Sequence, residues 1–412
     1  MKYCLLGEKL SHSYSREIHN FCGLNYSLKE VSPCMIGDFA YANEFSGYNV
    51  TIPYKKVIMN YLDGVSDDAK SIGAVNTVVV KDGKRYGYNT DVLGLIYTLE
   101  RKNISLQGKI VMVLGTGGAS NAVRYACEKL NAKEIIVVGR TSAVNYENCY
   151  EKQGVEVLFN ATPVGMNPNV DESPVDLSKF KNLQAVVDLI YNPQKTKLIM
   201  QAESLGLTYS NGLPMLVEQA LCAEDLWLSK THDKSLTESI INKICYEKLN
   251  VCLSGMPSSG KSTLGKMLAK KLNREFIDLD EEILKETGKT PSDIIKTDGE
   301  TAFRDIETKV LKSVSLKSGA VISLGGGAII REENRNAIKY NSVSIYIKRD
   351  LSLLKTEGRP LSIAKGVETL YNERKGYYET ADITVENNGD INDTLKEILL
   401  GYETSCTQWT KP

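Results

Sequence analysis

The sequence predicts an α/β protein built on parallel sheets covered by helices. Short apolar runs alternate with amphipathic stretches along the whole chain, and two of those runs feed glycine-rich turns. These turns are Leu114-Gly115-Thr116-Gly117-Gly118-Ala119-Ser120 and Gly255-Met256-Pro257-Ser258-Ser259-Gly260-Lys261-Ser262-Thr263. Strand and helix in alternation imply parallel pairing, because a parallel connection must cross back over the sheet and usually does so as a helix.

In chain order, strands are expected at Lys2 to Leu6 and Thr77 to Lys81, within a first lobe of residues 1–98. Lys109 to Leu114 reads as a buried strand, Ala119 to Leu130 as a helix and Glu134 to Val138 as the next strand, which makes one βαβ unit. Strands at Val155 to Phe159 and Ala185 to Ile190 complete a section of residues 99–212. Residues 213–247 are leucine-rich and helical by pattern, and they are expected to pack back on the first lobe. After a turn beyond Tyr246 the pattern restarts over 249–405. This part opens with a strand, Val251 to Ser254, and then the second loop and a helix with Leu264, Leu268 and Leu272 on one face. Later strands are expected at Ala320 to Leu324 and Val343 to Ile347, and the tail from Thr404 is expected to fray.

Composition narrows the function. The chain has 412 residues, 42% hydrophobic and 25% charged, as in a soluble globular protein of two or three domains. Its 50 basic and 51 acidic residues leave a net charge of -1, so no overall field recruits nucleic acid or an anionic membrane. The nine cysteines are scattered without a Cys-x-x-Cys pair, which argues against a zinc site and a disulfide framework. Tyr3 to Leu6 is too short for a signal segment, and no run approaches the ~18 apolar residues of a membrane span. A cytoplasmic protein acting on small molecules is expected.

The first turn has the Gly-x-Gly-x-x-Gly form that brings backbone N–H groups to a pyrophosphate at a helix N-terminus, with Ser120 in the third glycine position. Gly115, Thr116, Gly117, Gly118 and Ala119 would line a dinucleotide. At the end of the next strand, where a carboxylate would hold the ribose of NAD, stands Gly139-Arg140-Thr141. A guanidinium there suits a 2′-phosphate, so NADP(H) is expected, with Arg140 and Thr141 beside it.

The first lobe carries polar clusters on apolar strands: Gly7 to Ser15, Asn49-Val50-Thr51-Ile52-Pro53-Tyr54-Lys55, Ile72 to Thr77 and Gly87-Tyr88-Asn89-Thr90-Asp91. With Asn160 to Met166, Asp188 to Pro193 and Gly212 to Ala220, this set resembles shikimate dehydrogenase over about the first 246 residues. The resemblance implies a two-lobed dehydrogenase with a Rossmann-like NADP domain and a catalytic pair, Lys55 and Asp91. Hydride addition to a ketone creates an alkoxide that must receive a proton in the same site, and a lysine oriented by a carboxylate supplies it. Carried-over substrate contacts are Ser13, Ser15, Thr51, Asn76, Tyr191 and Gln219, with Gly212 on the cofactor. Taken alone, Lys55 is a surface lysine, Asp91 a helix N-cap, and His12 and His19 structural residues. The sequence departs from the family at Lys9, Arg16 and Gly139, and the stretch from Thr141 to Asn160 is short, as if a helix–strand element had been trimmed.

The second loop, Gly-x-x-x-x-Gly-Lys-Ser, arises by chance in about 1 in 100 chains of this length. The amides of Pro257 to Thr263 (Ser258, Ser259 and Gly260 among them) would cradle phosphates, Lys261 would reach the terminal ones, and Ser262 would hold Mg²⁺. Phe276 to Asp280, Gly299 to Arg304, Leu324-Gly325-Gly326-Gly327, Arg359-Pro360-Leu361 and Arg374 follow in order. Together they resemble shikimate kinase, a P-loop fold with a parallel sheet, over residues 250 to about 400. The resemblance implies that Asp280 contacts the attacking hydroxyl and Asp278 assists the magnesium shell. Arg304, Arg374 and Gly326 would hold shikimate, and Arg359, on a lid with Ser362, would neutralise the transferred phosphoryl group.

The expected activity is therefore double: NADPH-dependent reduction of 3-dehydroshikimate, then ATP-dependent phosphorylation of shikimate. Two alternatives stay open. In one, one half serves only as a binding or scaffolding module; in the other, the first half is an NAD-using quinate/shikimate dehydrogenase.

Overall fold

The computed structural model describes residues 1–10, 13–42, 44–355 and 366–411. The chain divides into two compact units, Met1–Tyr191 with Thr196–Ile241, and Asn242–Lys411 with Asn192–Lys195. The division falls inside one continuous helix, Lys234–Lys248.

The first unit holds two sheets. Strands β1 (Tyr3–Gly7), β2 (Tyr26–Glu30), β3 (Gly47–Val50), β4 (Gly64–Val65), β5 (Thr77–Lys81) and β6 (Lys84–Tyr88) lie in the order β2-β1-β3-β5-β6-β4. β1 pairs parallel with β2 and β3, but β5 runs antiparallel to both β3 and β6. This sheet is thus mixed, against the expectation of parallel sheets throughout. The cause is local: Asp82 and Gly83, at φ 50° and 74°, form a two-residue turn of the kind that matches strand twist in a hairpin.

The second sheet, β7 (Ile110–Leu114), β8 (Glu134–Val138), β9 (Val157–Asn160), β10 (Ala185–Asp188) and β11 (Thr208–Ser210), is wholly parallel in the order β11-β10-β9-β7-β8. Val111, Met112, Val113 and Leu114 are all buried, as a strand covered on both faces requires. Between β8 and β9 there is only a short 3-10 turn, Cys149–Glu151, so β8 is an edge strand.

Helix Leu213–Leu228 closes on the first sheet, where the Trp227 indole donates to the Val78 carbonyl at 2.9 Å. It also crosses helix Asp91–Arg101 closely, since a Cβ on Gly94 would stand 2.5 Å from the Met215 carbonyl oxygen. The crossing brings Gln219 against the first turn of the Asp91 helix.

The second unit has one parallel sheet, β12 (Asn250–Ser254), β13 (Phe276–Asp278), β14 (Val321–Ser323), β15 (Ser342–Lys348) and β16 (Ile383–Glu386), in the order β13-β14-β12-β15-β16. Helix Lys261–Leu272 follows β12 and buries Leu264 and Leu268. Helix Pro291–Ser315 breaks at Gly299 (φ 89°, ψ 165°), so Glu300 to Arg304 open its second segment. The expected fraying from Thr404 does not occur. Helix Ile391–Trp409 runs through it, because the buried Tyr402 hydroxyl donates to the carbonyls of Tyr246 at 2.6 Å and Leu249 at 2.9 Å, and Cys406 is buried behind it. No helix among the described residues is long and apolar enough to cross a membrane.

Beyond Leu228 the chain is tied back by His232, whose Nδ1 lies 2.8 Å from Asp225 Oδ2 and whose Nε2 lies 3.2 Å from Glu218 Oε2. The hydrogen bond to Glu218, helped by Asp225, pushes the imidazole up to about 8 from its ordinary value near 6.5. A pKa raised on folding contributes stability that is complete below about pH 6.5 and disappears as pH rises through about 8, at most ~2 kcal/mol here. Denaturant unfolding of the first unit from about pH 6 to pH 9 is expected to show this loss. His232→Gln should flatten it, and an unchanged slope in that variant would assign the pH dependence elsewhere.

Candidate active sites

The first site forms where β3 ends and the Asp91 helix begins. Lys55 Nζ lies 2.6 Å from Asp91 Oδ2, and both side chains are largely withdrawn from water. Asn76 Nδ2 reaches the other carboxylate oxygen, Oδ1, at 2.8 Å, together with Thr90 Oγ1 at 3.0 Å and Gln219 Oε1 at 3.3 Å. Asn76 Oδ1 accepts from the Thr90 amide at 2.7 Å, which fixes the orientation of the amide group. The Asp91 amide donates to Asn89 Oδ1 at 3.1 Å, and the Asp91 carboxylate faces Lys55. Lys55, Asp91, Asn76 and Gln219 are thereby brought together.

Ser13 and Ser15 form a second group, their hydroxyls 3.1 Å apart at the start of helix Ser15–Phe21. Beside them the Tyr14 ring packs on Tyr191 with centroids 5.1 Å apart, and burial pushes the Tyr191 hydroxyl up to about 12. Thr51 follows β3 and donates its amide to Leu6 at the end of β1, 2.9 Å away. The serine group and the lysine group therefore both rise from the carboxyl end of the β1–β3 pair. No hydrogen bond or ion pair among the described residues joins the two groups.

The glycine turn lies between β7 and helix Gly118–Lys129, with Thr116 to Ala119 exposed. A Cβ on Gly117 or Gly118 would meet nothing within 4 Å, so the turn is open to an approaching anion. Ser120 is fully buried beneath it and its hydroxyl has no partner among the described residues. Arg140 and Thr141 stand exposed past β8, next to the turn through the Leu114–Val138 pairing. Gly139 fits because a Cβ there would lie 2.7 Å from Thr116 Cγ2 and 2.5 Å from Ser142 Oγ. Gly212 likewise has no room, the Leu189 carbonyl oxygen being 2.0 Å from its would-be Cβ.

Asp188, quoted in the sequence only as part of a motif, anchors the loop that carries Tyr191. Burial pushes its carboxyl up to about 7, while Thr196 Oγ1 at 2.6 Å, the Ile190 amide at 3.1 Å and Asn160 Nδ2 at 3.0 Å hold it.

The second site is a cavity of about 380 Å³ at the carboxyl ends of the third sheet, lined among others by Ser258, Lys261, Asp278, Asp280, Gly326 and Arg349. Gly255 (φ 146°) must be glycine, since a Cβ would meet the Ile347 carbonyl at 2.5 Å. Ser258 takes φ 67° without being glycine and donates its hydroxyl to the Lys355 carbonyl at 2.8 Å. Lys261 Nζ folds back on the carbonyls of Gly255 and Met256, each at 2.9 Å, and the buried Ser259 hydroxyl has no partner. Such a loop, with the buried Ser259 hydroxyl unmatched among the described residues and a lysine at its end, fits a phosphate chain. Ser262 Oγ donates to Asp278 Oδ2 at 2.7 Å, and Asp278 Oδ1 accepts the Asp280 amide at 3.1 Å. These few oxygen donors suit Mg²⁺, which keeps most of its waters.

Arg304 is held by Glu307 at 2.7 Å and Glu300 at 3.2 Å. Arg374 is buried with its Nε lacking a partner among the described residues, and its Nη1 comes within 3.4 Å of the Cβ position of Gly326. Tyr378 seals this side by donating to the Gly326 carbonyl at 2.5 Å. Sequence reading missed Glu307. It is fully buried, burial pushes its carboxyl up against the pull of Arg304, and its Oε1 lies 2.8 Å from the Cβ position of Gly325, where Asp280 Oδ1 is also within 3.2 Å. Its place three residues after Arg304, on the same helix face, was the available signal. Asn387, also missed, donates Nδ2 to the Ser259 carbonyl at 2.8 Å and braces the loop. His12, Arg359 and Ser362 lie outside the described residues.

Comparison with known proteins divides at the same place. The family model described as shikimate dehydrogenase substrate binding domain matches residues 5–78, and the one described as shikimate kinase matches residues 257–401. A shikimate dehydrogenase (NADP(+)) of Clostridium beijerinckii is 39% identical over 259 residues, 58% of this chain and 96% of that protein. A crystal structure of shikimate dehydrogenase 1 from Peptoclostridium difficile is 38% identical, with a TM-score of 0.55, covering 59% of this chain and 97% of that one. The Thermus thermophilus shikimate 5-dehydrogenase solved with NADP(H) and shikimate is 32% identical, with a TM-score of 0.53, over 58% and 97%.

Proposed function

The chain belongs to the shikimate dehydrogenase family and carries a shikimate kinase domain behind it, and from this premise we propose which of its residues run two successive reactions. It is a bifunctional shikimate-pathway enzyme: 3-dehydroshikimate is reduced with NADPH, and shikimate is phosphorylated with ATP. Residues 1–98 with 213–247 are the dehydrogenase's substrate lobe, 99–212 its NADP domain and 249–405 the kinase. A cytoplasmic location is supported by nine cysteines without a disulfide.

The observation that carries the first assignment is the Lys55–Asp91 pair at 2.6 Å with Asn76 on the second carboxylate oxygen. NADPH, when bound, supplies the hydride. Lys55 Nζ delivers a proton to the oxygen that becomes alkoxide, and Asp91 keeps the ammonium aimed and its charge balanced. Asn76 and Gln219 offer amides to the ring hydroxyls, and Ser13, Ser15, Thr51 and Tyr191 offer hydroxyls to the remainder of the substrate. Gly115 to Ala119 would receive the cofactor's pyrophosphate, Arg140 and Thr141 its 2′-phosphate, and Gly212, past β11, would also line the cofactor.

In the kinase, ATP with Mg²⁺ supplies the phosphoryl group and screens its charge. Pro257 to Thr263 would cradle the phosphates, Lys261 would reach the terminal ones, and Ser262 and Asp278 would hold the cation. Asp280 takes up or orients the proton of the attacking hydroxyl. Arg304, Arg374 and Gly326 hold the shikimate carboxylate and ring.

Purified chain given 3-dehydroshikimate, NADPH, ATP and Mg²⁺ should lose NADPH absorbance and form phosphorylated product. Lys55→Met should lower the reductase kcat by about 10²- to 10⁴-fold, the usual worth of a positioned acid, and spare kinase turnover on added shikimate. Asp280→Asn should do the reverse. If both activities fall together, or neither does, the division of labour is wrong and one half is a binding module. Asp278→Asn should raise the Mg²⁺ concentration needed for half-maximal kinase activity by about tenfold, and a magnesium titration that superimposes on wild type would remove Asp278 from the shell.

A further inference from the structure

We infer that Arg349 binds the phosphate chain of the nucleotide in the kinase half, as a cation additional to Lys261. The inference rests on the kinase assignment above. Arg349 lies one residue past β15, which pairs with β12, the strand that feeds the phosphate loop. Its side chain lines the loop's cavity, and its Nη1 lies 3.9 Å from the Cβ position of Gly260. Gly260 is the last loop residue before helix Lys261–Leu272. The guanidinium therefore stands beside the turn whose amides point at phosphate.

Its neighbours do not use it. Lys348 is bridged to Glu386 at 2.7 Å, and the Asp350 amide is taken by Asn388 Oδ1 at 2.9 Å. Arg349 Nε is buried without a hydrogen-bond partner, and Arg349 forms no ion pair among the described residues. A buried guanidinium donor left unmatched is costly, and an anion arriving in the cavity would relieve that cost. Its fork geometry suits two phosphate oxygens at once, which a lysine ammonium cannot match. Of the carboxylates that line the cavity, Asp278 is already engaged, taking Ser262 Oγ and the Asp280 amide, and Asp280 forms no ion pair with Arg349 among the described residues.

The test uses the full chain with Arg349→Met and Arg349→Lys. MgADP affinity is measured by calorimetry, and the KM values for ATP and shikimate by kinase assay. The methionine variant should weaken MgADP binding and raise the ATP KM by about 10- to 100-fold, the worth of one charge-assisted hydrogen bond. The lysine variant should fall between it and wild type. The shikimate KM and the reductase rate should not move. MgADP affinity within about twofold of wild type in both variants would overturn the inference. If the methionine variant unfolds the kinase half, the lysine variant, which keeps charge and bulk, decides alone. A wild-type chain that binds MgADP but transfers no phosphate to shikimate would sink the kinase assignment instead, and Arg349 would still be judged from the ADP titration.

Discussion

A charge taken out of water must be matched, and this constraint shapes both sites. Asp91, Lys261, Arg304, Glu307 and Arg374 are all less than a tenth exposed. Removing one partner from such a pair leaves the other buried and unanswered, at a cost of roughly 3–5 kcal/mol. In the dehydrogenase site the matching is internal, with Lys55 and Asn76 dividing the two oxygens of Asp91 between them. In the kinase site it is incomplete. Arg349 and Arg374 each carry a buried Nε with no acceptor among the described residues. The first site is thus organised before a substrate arrives, whereas the second is organised around anions that come with its ligands.

Backbone geometry sets where those charges gather. In each sheet that carries a nucleotide turn, the strands are parallel, so their carboxyl ends and following loops lie along one edge. Glycines then decide how closely loops and helices approach. Gly94 lets the Gln219 helix reach the Asp91 turn, Gly212 passes against Leu189, and Gly325 admits Asp280 and Glu307 to the same point of backbone. Few substitutions at these positions leave the charges where they are, since a Cβ would push against backbone oxygen in two of the three.

Much of this was legible in the sequence, because the strands are short apolar runs bounded by turns. Glu134–Val138 and Thr77–Lys81 have the expected limits and the other expected strands differ by one or two residues, whereas β2, β3, β4, β6, β11 and β16 carried no expectation. The candidate site residues stand in ordered motifs, and the structure brings Lys55, Asp91, Asn76 and Gln219 together. What escaped depends on distant contacts. The hairpin at Asp82-Gly83 was a local signal passed over, but the continuation of the last helix past Thr404 rests on Tyr402 reaching carbonyls more than 150 residues earlier. No local pattern announces that. Glu307, Asn387 and Arg349 escaped for the same reason, as each matters only for what the fold sets beside it.

The helix Lys234–Lys248 has a consequence for dissecting the molecule. Its first half belongs to the dehydrogenase unit, where Glu238 clasps Arg101 at 2.6 Å and Tyr97. Its second half belongs to the kinase unit, where the Tyr246 carbonyl receives Arg274 and Tyr402. Two reactions that look separable on paper therefore share an indivisible piece of chain. A gene split at the apparent junction near residue 249 strips the kinase of carbonyls that its own core uses, and a split upstream of 234 strips the dehydrogenase. The boundary between the two halves is therefore an overlap, in which one helix supplies contacts to both units.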